Sequence, residues 1–474
     1  MSSTASRSAL RTLLVVSAAL FMTSLDNLIV TVALPSIRAD LGASIEGLEW
    51  TVNAYTLTFA VLLIPAAALG DRFGRRRVFL VGLALFTLAS AAAALAPSTG
   101  ALVLARALQG AGGAVIAPLS LTLLADAYPP ERRGLALGVW AGVSGFGVAV
   151  GPLLGGLVVE GLAWQWIFWL NVPLGLLLLP LAASVLRESH GPSPRLDLPG
   201  VALVGAGLLG VVLGLVRGNA DGWTSAPIVA SLAGGVVLLG AFLAWERRAA
   251  APMVPLALFG SRAFAATNAV GFVMFFGMFG SIFLLTQVLQ FALGAGPLDA
   301  GVKMLAWTGT IAVVAPLAGA TADRVGPRAF LTTGLALQGA ALLWMASVTE
   351  PGLGYGSLVV PFVMAGAGMA LCFAPSTSAI LAAVRPEQAG QASGVANAIR
   401  ELGGVFGVAI LASVFSAAGG YASPQAFTDG AVPAVTVGGI VVLAGALLAL
   451  VALPSQRRAA AQRAGASPSI APAS

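Results

Sequence analysis

The chain has 474 residues, 58% of them hydrophobic and only 9% charged, with a net charge of +6. A soluble protein of this length needs far more charge to cover its surface, so the composition specifies a polytopic membrane protein. The cations sit in short loops instead of one patch, which excludes nucleic acid as a partner; a lone cysteine, Cys372, and a lone histidine, His190, exclude an intrachain disulfide and a metal cluster.

In chain order, fourteen apolar runs are predicted to cross the bilayer as helices. They begin near residues 10, 48, 78, 100, 134, 166, 199, 227, 263, 299, 328, 354, 391 and 432. Such runs suit the ~20 residues that a membrane helix needs. The first, 10–34, is too long for the core of a cleavable leader and carries Asp26 inside it. Between the second and third lies Gly70-Asp71-Arg72-Phe73-Gly74-Arg75-Arg76-Arg77, a polar knot that cannot lie in lipid. It is predicted to be a tight turn at a membrane face. The turn returns as Asp323-Arg324-Val325-Gly326-Pro327-Arg328, a shift of 252.

Two more segments repeat. Pro130-Glu131-x-x-Gly134-x-Ala136-x-Gly138 returns at Pro386–Gly394, and Gly110-Ala111-Gly112-x-Ala114 returns at Gly366–Ala370, both shifted by 256. Three registered matches describe one six-span unit written twice, a common transporter plan with the substrate site between the halves. Two spans, about 199–216 and 227–245, remain between the repeats, after the helix-breaking linker Gly191-Pro192-Ser193-Pro194-Arg195. The expected units are a six-helix bundle over 1–190, a linker with two extra spans over 191–260, a second six-helix bundle over 261–454 and a disordered cytoplasmic tail over 455–474. Nineteen of the 24 Lys and Arg residues fall on one side; Arg38, Arg217 and Lys303 fall on the other, and Arg106 and Arg400 lie within spans. Cytoplasmic loops collect Lys and Arg, so both termini are expected in the cytoplasm.

Ionised groups inside a membrane need a cavity or a partner. Asp26 and Arg106 are such groups, and the repeat places uncharged Met278 and Phe362 at the equivalent positions. They are the candidates for proton coupling, with Glu401 as the rival titrating site. The plain alternative is a buried structural hydrogen bond or, for Arg400 and Glu401, a local pair. Desolvation favours a neutral carboxyl and a nearby cation favours an ionised one, so proton loading at Asp26 would turn on its distance from Arg106. Gln109, Asn397 and Arg400 are candidates for a substrate cavity, as are Phe275, Phe276 and Phe279 on an aromatic helix face. A packing stripe is the alternative for the aromatics.

These segments resemble the major facilitator superfamily in its fourteen-helix drug–proton antiporter branch, over essentially the whole chain. LGDRFGRRR is similar to the superfamily loop signature, with Ala67 where the family has its leading glycine. LDNLIVTVALP resembles the branch's first-span motif, with Asn27 and Leu28 after Asp26. RALQGAGGA (Arg106–Ala114) is similar to the intramembrane arginine motif. GVAVGPLLGG (Gly147–Gly156) is similar to the motif associated with antiporters, and WQWIFWLNVPLG (Trp164–Gly175) resembles the start of span six. The resemblance implies an all-α transporter with two six-helix repeats and two extra central helices. It implies export of hydrophobic or cationic drugs or toxic metabolites across the cytoplasmic membrane in exchange for protons. A facilitator-type importer or symporter is the alternative.

No cofactor or metal is expected, and the expected state is a monomer. Asp71, Arg72, Gly74 and Arg75, with Asp323 and Arg324, are expected to form a conformational latch; a mere topology determinant is the alternative. Gly147, Gly151, Pro152, Gly155 and Gly156 are expected to form a gate or leak seal. The second half has Leu411 and Val408 where the first has Gly155 and Pro152. The sequence has no nucleotide-binding Gly-Lys-Ser/Thr loop and no nucleophile–base pair of defined spacing, so an enzyme is not expected.

Overall fold

In lipid a backbone must satisfy its own hydrogen bonds, so long apolar runs fold as helices. The computed structural model describes residues 3–191, 196–385 and 388–453, with their side chains except those of 3–7, 130, 131, 134, 135, 320, 322–324 and 374. Within these residues, fourteen helices are long and apolar enough to cross a membrane. They are α1 (Ser3–Leu41), α2 (Ile45–Phe73), α3 (Arg75–Ala94), α4 (Thr99–Ala127), α5 (Pro130–Gly161), α6 (Trp166–Val185), α7 (Leu198–Asp221), α8 (Ala226–Glu246), α9 (Arg262–Ala292), α10 (Pro297–Val325), α11 (Pro327–Val348), α12 (Gly356–Ala382), α13 (Ala389–Ala418) and α14 (Pro424–Ala452). The last helix starts well before residue 432, because Ser423 caps it and Pro424 opens it. The tail after residue 453 and the repeated Pro386-Glu387 pair lie outside the described residues.

The sequence repeat is a packing repeat. α1 lies on α5, α2 on α4 and α3 on α4, while α9 lies on α13, α10 on α12 and α11 on α12. A Cβ on Gly112 would stand 2.7 Å from the backbone nitrogen of Phe86, and one on Gly368 would stand 2.7 Å from that of Gln338. Phe86 and Gln338 are 252 apart, the shift of the two turns. Glycine is needed at both places because a side chain would strike main chain. The turns match too: Gly74 has φ of 104° and Gly326 has φ of 85°, a region that favours glycine.

The extra helices pair as a hairpin, and α7 lies over the seam between the two repeats. Its Leu208, Val212 and Val216 cluster with Leu57 of α2 and with Val405 and Ala409 of α13. Asn219 Nδ2 donates to the Ser413 carbonyl at 2.5 Å, tying the hairpin to the second bundle. The opposite seam, α5 against α10, is the tighter one. A Cβ on Gly156 would stand 2.8 Å from Leu298 Cα.

The bundles meet at the end poor in arginine. There Gln290 Nε2 donates to the Val32 carbonyl at 2.9 Å, and Leu298 N–H donates to Glu160 at 2.9 Å. The Arg38 guanidinium lies 3.9 Å from the centre of the Tyr421 ring. Burial pushes the Tyr421 phenol up, with Arg38 opposing and Glu49 adding; it stays neutral and donates to Gln287 Oε1. On the other half of the α5/α10 seam, Gly138, Gly142 and Gly145 have open space above them. The molecule is therefore closed at the arginine-poor end.

Removing the Tyr421 ring should loosen that closure. A cation–π contact contributes roughly 0.5–2 kcal/mol, so Tyr421→Ala should raise the separated population about two- to thirtyfold. Spin labels on exposed Ala39 and Ala422 would gain a longer distance in Tyr421→Ala, and an unchanged distance distribution would refute the role.

Candidate functional site

Four helices bring one buried polar cluster together inside the first bundle. α1 supplies Asp26, α4 supplies Arg106 and Gln109, α3 supplies Ser90, and α6 supplies Asn171. Asp26, Arg106, Gln109 and Ser90 have no solvent exposure, and Asn171 has 2%. Arg106 and Gln109 are three apart, so the helix presents them together. The Arg106 Nη1 pairs with Asp26 Oδ2 and donates to Gln109 Oε1 at 2.9 Å. Gln109 Nε2 donates to Asp26 Oδ1 at 3.0 Å and to Ser90 Oγ at 2.7 Å. Asn171 Nδ2 reaches the same Asp26 Oδ1 at 2.8 Å.

Arg106 has further support from α2. Its Nε donates to the Thr51 carbonyl at 3.1 Å, and its guanidinium lies 4.4 Å from the Tyr55 ring centre. Its Nη2 alone has no partner. An ion pair taken out of water is stable only when its remaining donors and acceptors are also met. Here every nitrogen and oxygen of the pair but Nη2 has a partner, so the site is polar inside an apolar bundle. The pair ties α1 to α4.

Among the described residues, the second bundle has no such buried pair. Arg400 Nη2 donates to Ser376 Oγ at 2.9 Å and to Thr377 Oγ1 at 3.3 Å, and Nη1 reaches Asn397 Oδ1 at 3.4 Å. It turns to α12 and makes no ion pair with Glu401, so the local pair suggested by their adjacency does not form. Glu401 Oε2 is buried without a partner. Gln109 is fully buried within the Asp26 cluster in this conformation. The aromatic face of α9 divides between neighbours. Phe275 lies edge-on to Phe373 of α12 at 5.8 Å and beside Phe279 at 5.7 Å. Phe276 is 3% exposed. These rings are packed between helices in the conformation closed at the arginine-poor end.

The Asp71 turn is clasped within its own bundle. Asp71 Oδ1 pairs with Arg75 Nε at 2.7 Å, and Arg75 Nη1 with Asp126 at 2.7 Å. Glu188 accepts the Arg76 N–H at 3.0 Å, and Arg75 N–H donates to the Ser189 carbonyl at 2.9 Å. Arg72 lies 5.2 Å from the Phe73 ring centre. The side chains of Asp323 and Arg324 lie outside the described residues. In α5, Gly147, Gly151 and Gly155 face α1, whereas Pro152 and Gly156 face α10. The one-sided loss of Gly155 has a packing reason. In the second half the close approach uses Gly280 of α9, and Leu411 fills the space 2.9 Å from its Cβ position.

Sequence reasoning missed Ser90, Asn171, Asp126, Glu188, Arg38 and Tyr421. Asn171 lies within WQWIFWLNVPLG, and a lone amide in an apolar run is its only signal.

The description "Major Facilitator Superfamily" belongs to the sequence profile that matches residues 16–245 and 267–473. The tetracenomycin C resistance and export protein of Streptomyces glaucescens is 37% identical over 90% of this chain and 79% of its own length. The puromycin resistance protein of Streptomyces alboniger is 37% identical over 96% of this chain and 93% of its own. Among solved structures, a POT family transporter in complex with a thioalcohol-conjugated peptide superposes with a TM-score of 0.69 at 16% identity, over 93% of this chain and 95% of that one. That likeness concerns the fold alone. The two packed repeats, the profile match and the relatives place the chain in the major facilitator superfamily, as a multi-pass membrane transporter and not an enzyme.

Proposed function

We propose that this transporter exports hydrophobic or cationic small molecules, toxic metabolites or antibiotics among them, in exchange for protons. The observation that carries the proton coupling is the fully buried Asp26–Arg106 pair, present in one half and replaced by Met278 and Phe362 in the other. Charges kept for folding alone would suit both halves. Export is supported by the relatives named for antibiotic resistance and export. Asp26 carries the proton and Arg106 assists its release; Glu401 is the rival titrating site. Gln109, Phe275, Phe276, Phe279, Asn397 and Arg400 line the path when the closed end opens. The turn Asp71–Arg75 and its repeat at Asp323 and Arg324 act as the latch, and the α5 motif seals the α5/α10 seam. The working units are 1–190, 191–260 and 261–454, in a monomer.

Orientation follows the loop charges: the arginine-rich face, with both termini, is cytoplasmic, and the membrane is the cell membrane. A cysteine at Arg75 should resist an impermeant thiol reagent in intact cells, and ready labelling would overturn the orientation. The function itself is tested in reconstituted vesicles. An imposed proton gradient should drive uphill movement of a hydrophobic dye or antibiotic, and absence of gradient-driven transport by active protein would sink the reading.

A further inference from the structure

The base of the α7–α8 hairpin holds two carboxylates whose hydrogen bonding does not close. Asp197 caps α7, with Oδ1 accepting Gly200 N–H at 2.9 Å and Trp245 Nε1–H at 2.7 Å. Glu246, the last residue of α8 and only 4% exposed, accepts Val254 N–H through Oε2 at 3.0 Å. Each carboxylate thus commits one oxygen to a structural bond. The others, Asp197 Oδ2 and Glu246 Oε1, are buried without a partner.

These two oxygens converge. The vacant Cβ position of Gly200 lies 2.9 Å from Glu246 Oε1 and closer still to Asp197 Oδ2. Glycine at 200 leaves one space that both oxygens border. Two bare carboxylate oxygens, themselves buried although Asp197 is only half-buried, repel each other. A single proton changes that, because a protonated carboxyl has one donor to offer and a carboxylate accepts it. Among the described residues, no Lys or Arg forms an ion pair with either group. Arg247 and Arg248, next along the chain, are exposed, as is Arg262 at the start of α9.

We propose that Asp197 and Glu246 form a shared-proton site that fastens the α7–α8 hairpin to the segment entering the second bundle. With the proton bound, the two carboxyls hold each other and Glu246 holds Val254. With the proton lost, the charges part and the Val254 N–H loses its fixed acceptor. The site lies at the arginine-rich end, apart from the Asp26 cluster. The fastening is present at lower pH and is lost as pH rises.

Hydrogen exchange on the full chain in lipid nanodiscs, corrected for the intrinsic base-catalysed rate, tests this. Protection of residues 249–261 in the wild type should fall severalfold between about pH 5.5 and 8.5, which brackets the range above the ordinary carboxylate. Glu246→Gln supplies the missing donor at every pH, so its protection should stay high and flat. Glu246→Ala should be unprotected throughout. Asp197→Asn gives the same comparison if Glu246→Gln does not fold. In infrared spectra at neutral pH, the wild type should carry a protonated carboxyl band that both amide variants lack. A flat wild-type profile, the same slope in wild type and amide variants, or no such band would each overturn the shared proton.

Discussion

Gly156→Leu should abolish transport while the protein still reaches the membrane. Gly156 faces the other bundle, where a Cβ would stand 2.8 Å from Leu298 Cα and 2.9 Å from the Pro297 carbonyl carbon. These are main-chain atoms at the start of α10, so they cannot swing aside as a side-chain tip would. A leucine there keeps α5 from closing on α10 and holds the arginine-poor end apart. Overpacking costs about 1–3 kcal/mol, a shift of roughly five- to 150-fold between the two states. A protein that cannot close one end cannot alternate. Gly151→Leu is the informative contrast. Its Cβ would meet Leu28 Cβ at 3.3 Å and the Leu25 carbonyl oxygen at 3.4 Å, both within the first bundle. Its damage should therefore appear as lost thermal stability as well as lost efflux. Spin-label distances across the arginine-poor end would separate the two: Gly156→Leu lengthens them and Gly151→Leu does not. Normal efflux by well-expressed Gly156→Leu would show that the seam need not close.

The helices and the repeat were legible because lipid imposes a simple rule on composition and length. Gly112 and Gly368 could be matched by sequence shift alone, and the packing shows why, since each lets a neighbouring backbone nitrogen approach. Direction was less legible. The α9 phenylalanines share a helical face, but that face is broad enough to serve two neighbours, so Phe275 meets Phe373 while Phe272 meets Phe406. The exchange of Gly155 and Leu411 could not be read from one helix, because the compensating Gly280 lies on its partner. Neutral donors such as Asn171 and Ser90 were invisible for a further reason. An amide or hydroxyl in an apolar run discloses that it needs a partner, not which one. The two full charges stood out because their burial is so costly that each required an opposite.

Asp26→Asn should remove gradient-driven export while leaving exchange of a neutral substrate. The substitution keeps an acceptor and the size of the side chain but can no longer take up or release a proton. Without the charge, Arg106 Nη1 loses its ionic partner but keeps Gln109, while the Thr51 carbonyl and the Tyr55 face still hold the rest of the guanidinium. Breaking a buried pair by removing one partner costs about 3–5 kcal/mol, so a fall in stability is expected beside the functional loss. The double variant Asp26→Asn with Arg106→Gln removes the stranded charge and separates the two effects. It should regain stability without regaining uphill transport. Arg106→Lys keeps a cation but loses the planar fork that reaches Asp26, Gln109 and Thr51 together, so it should recover only part of the rate. The deciding measurement is substrate accumulation in reconstituted vesicles under an imposed proton gradient, beside counterflow without one. If Asp26→Asn accumulates a neutral substrate at the wild-type rate, the proton travels elsewhere. Glu401, with its unpartnered Oε2, is then the next carboxylate to neutralise.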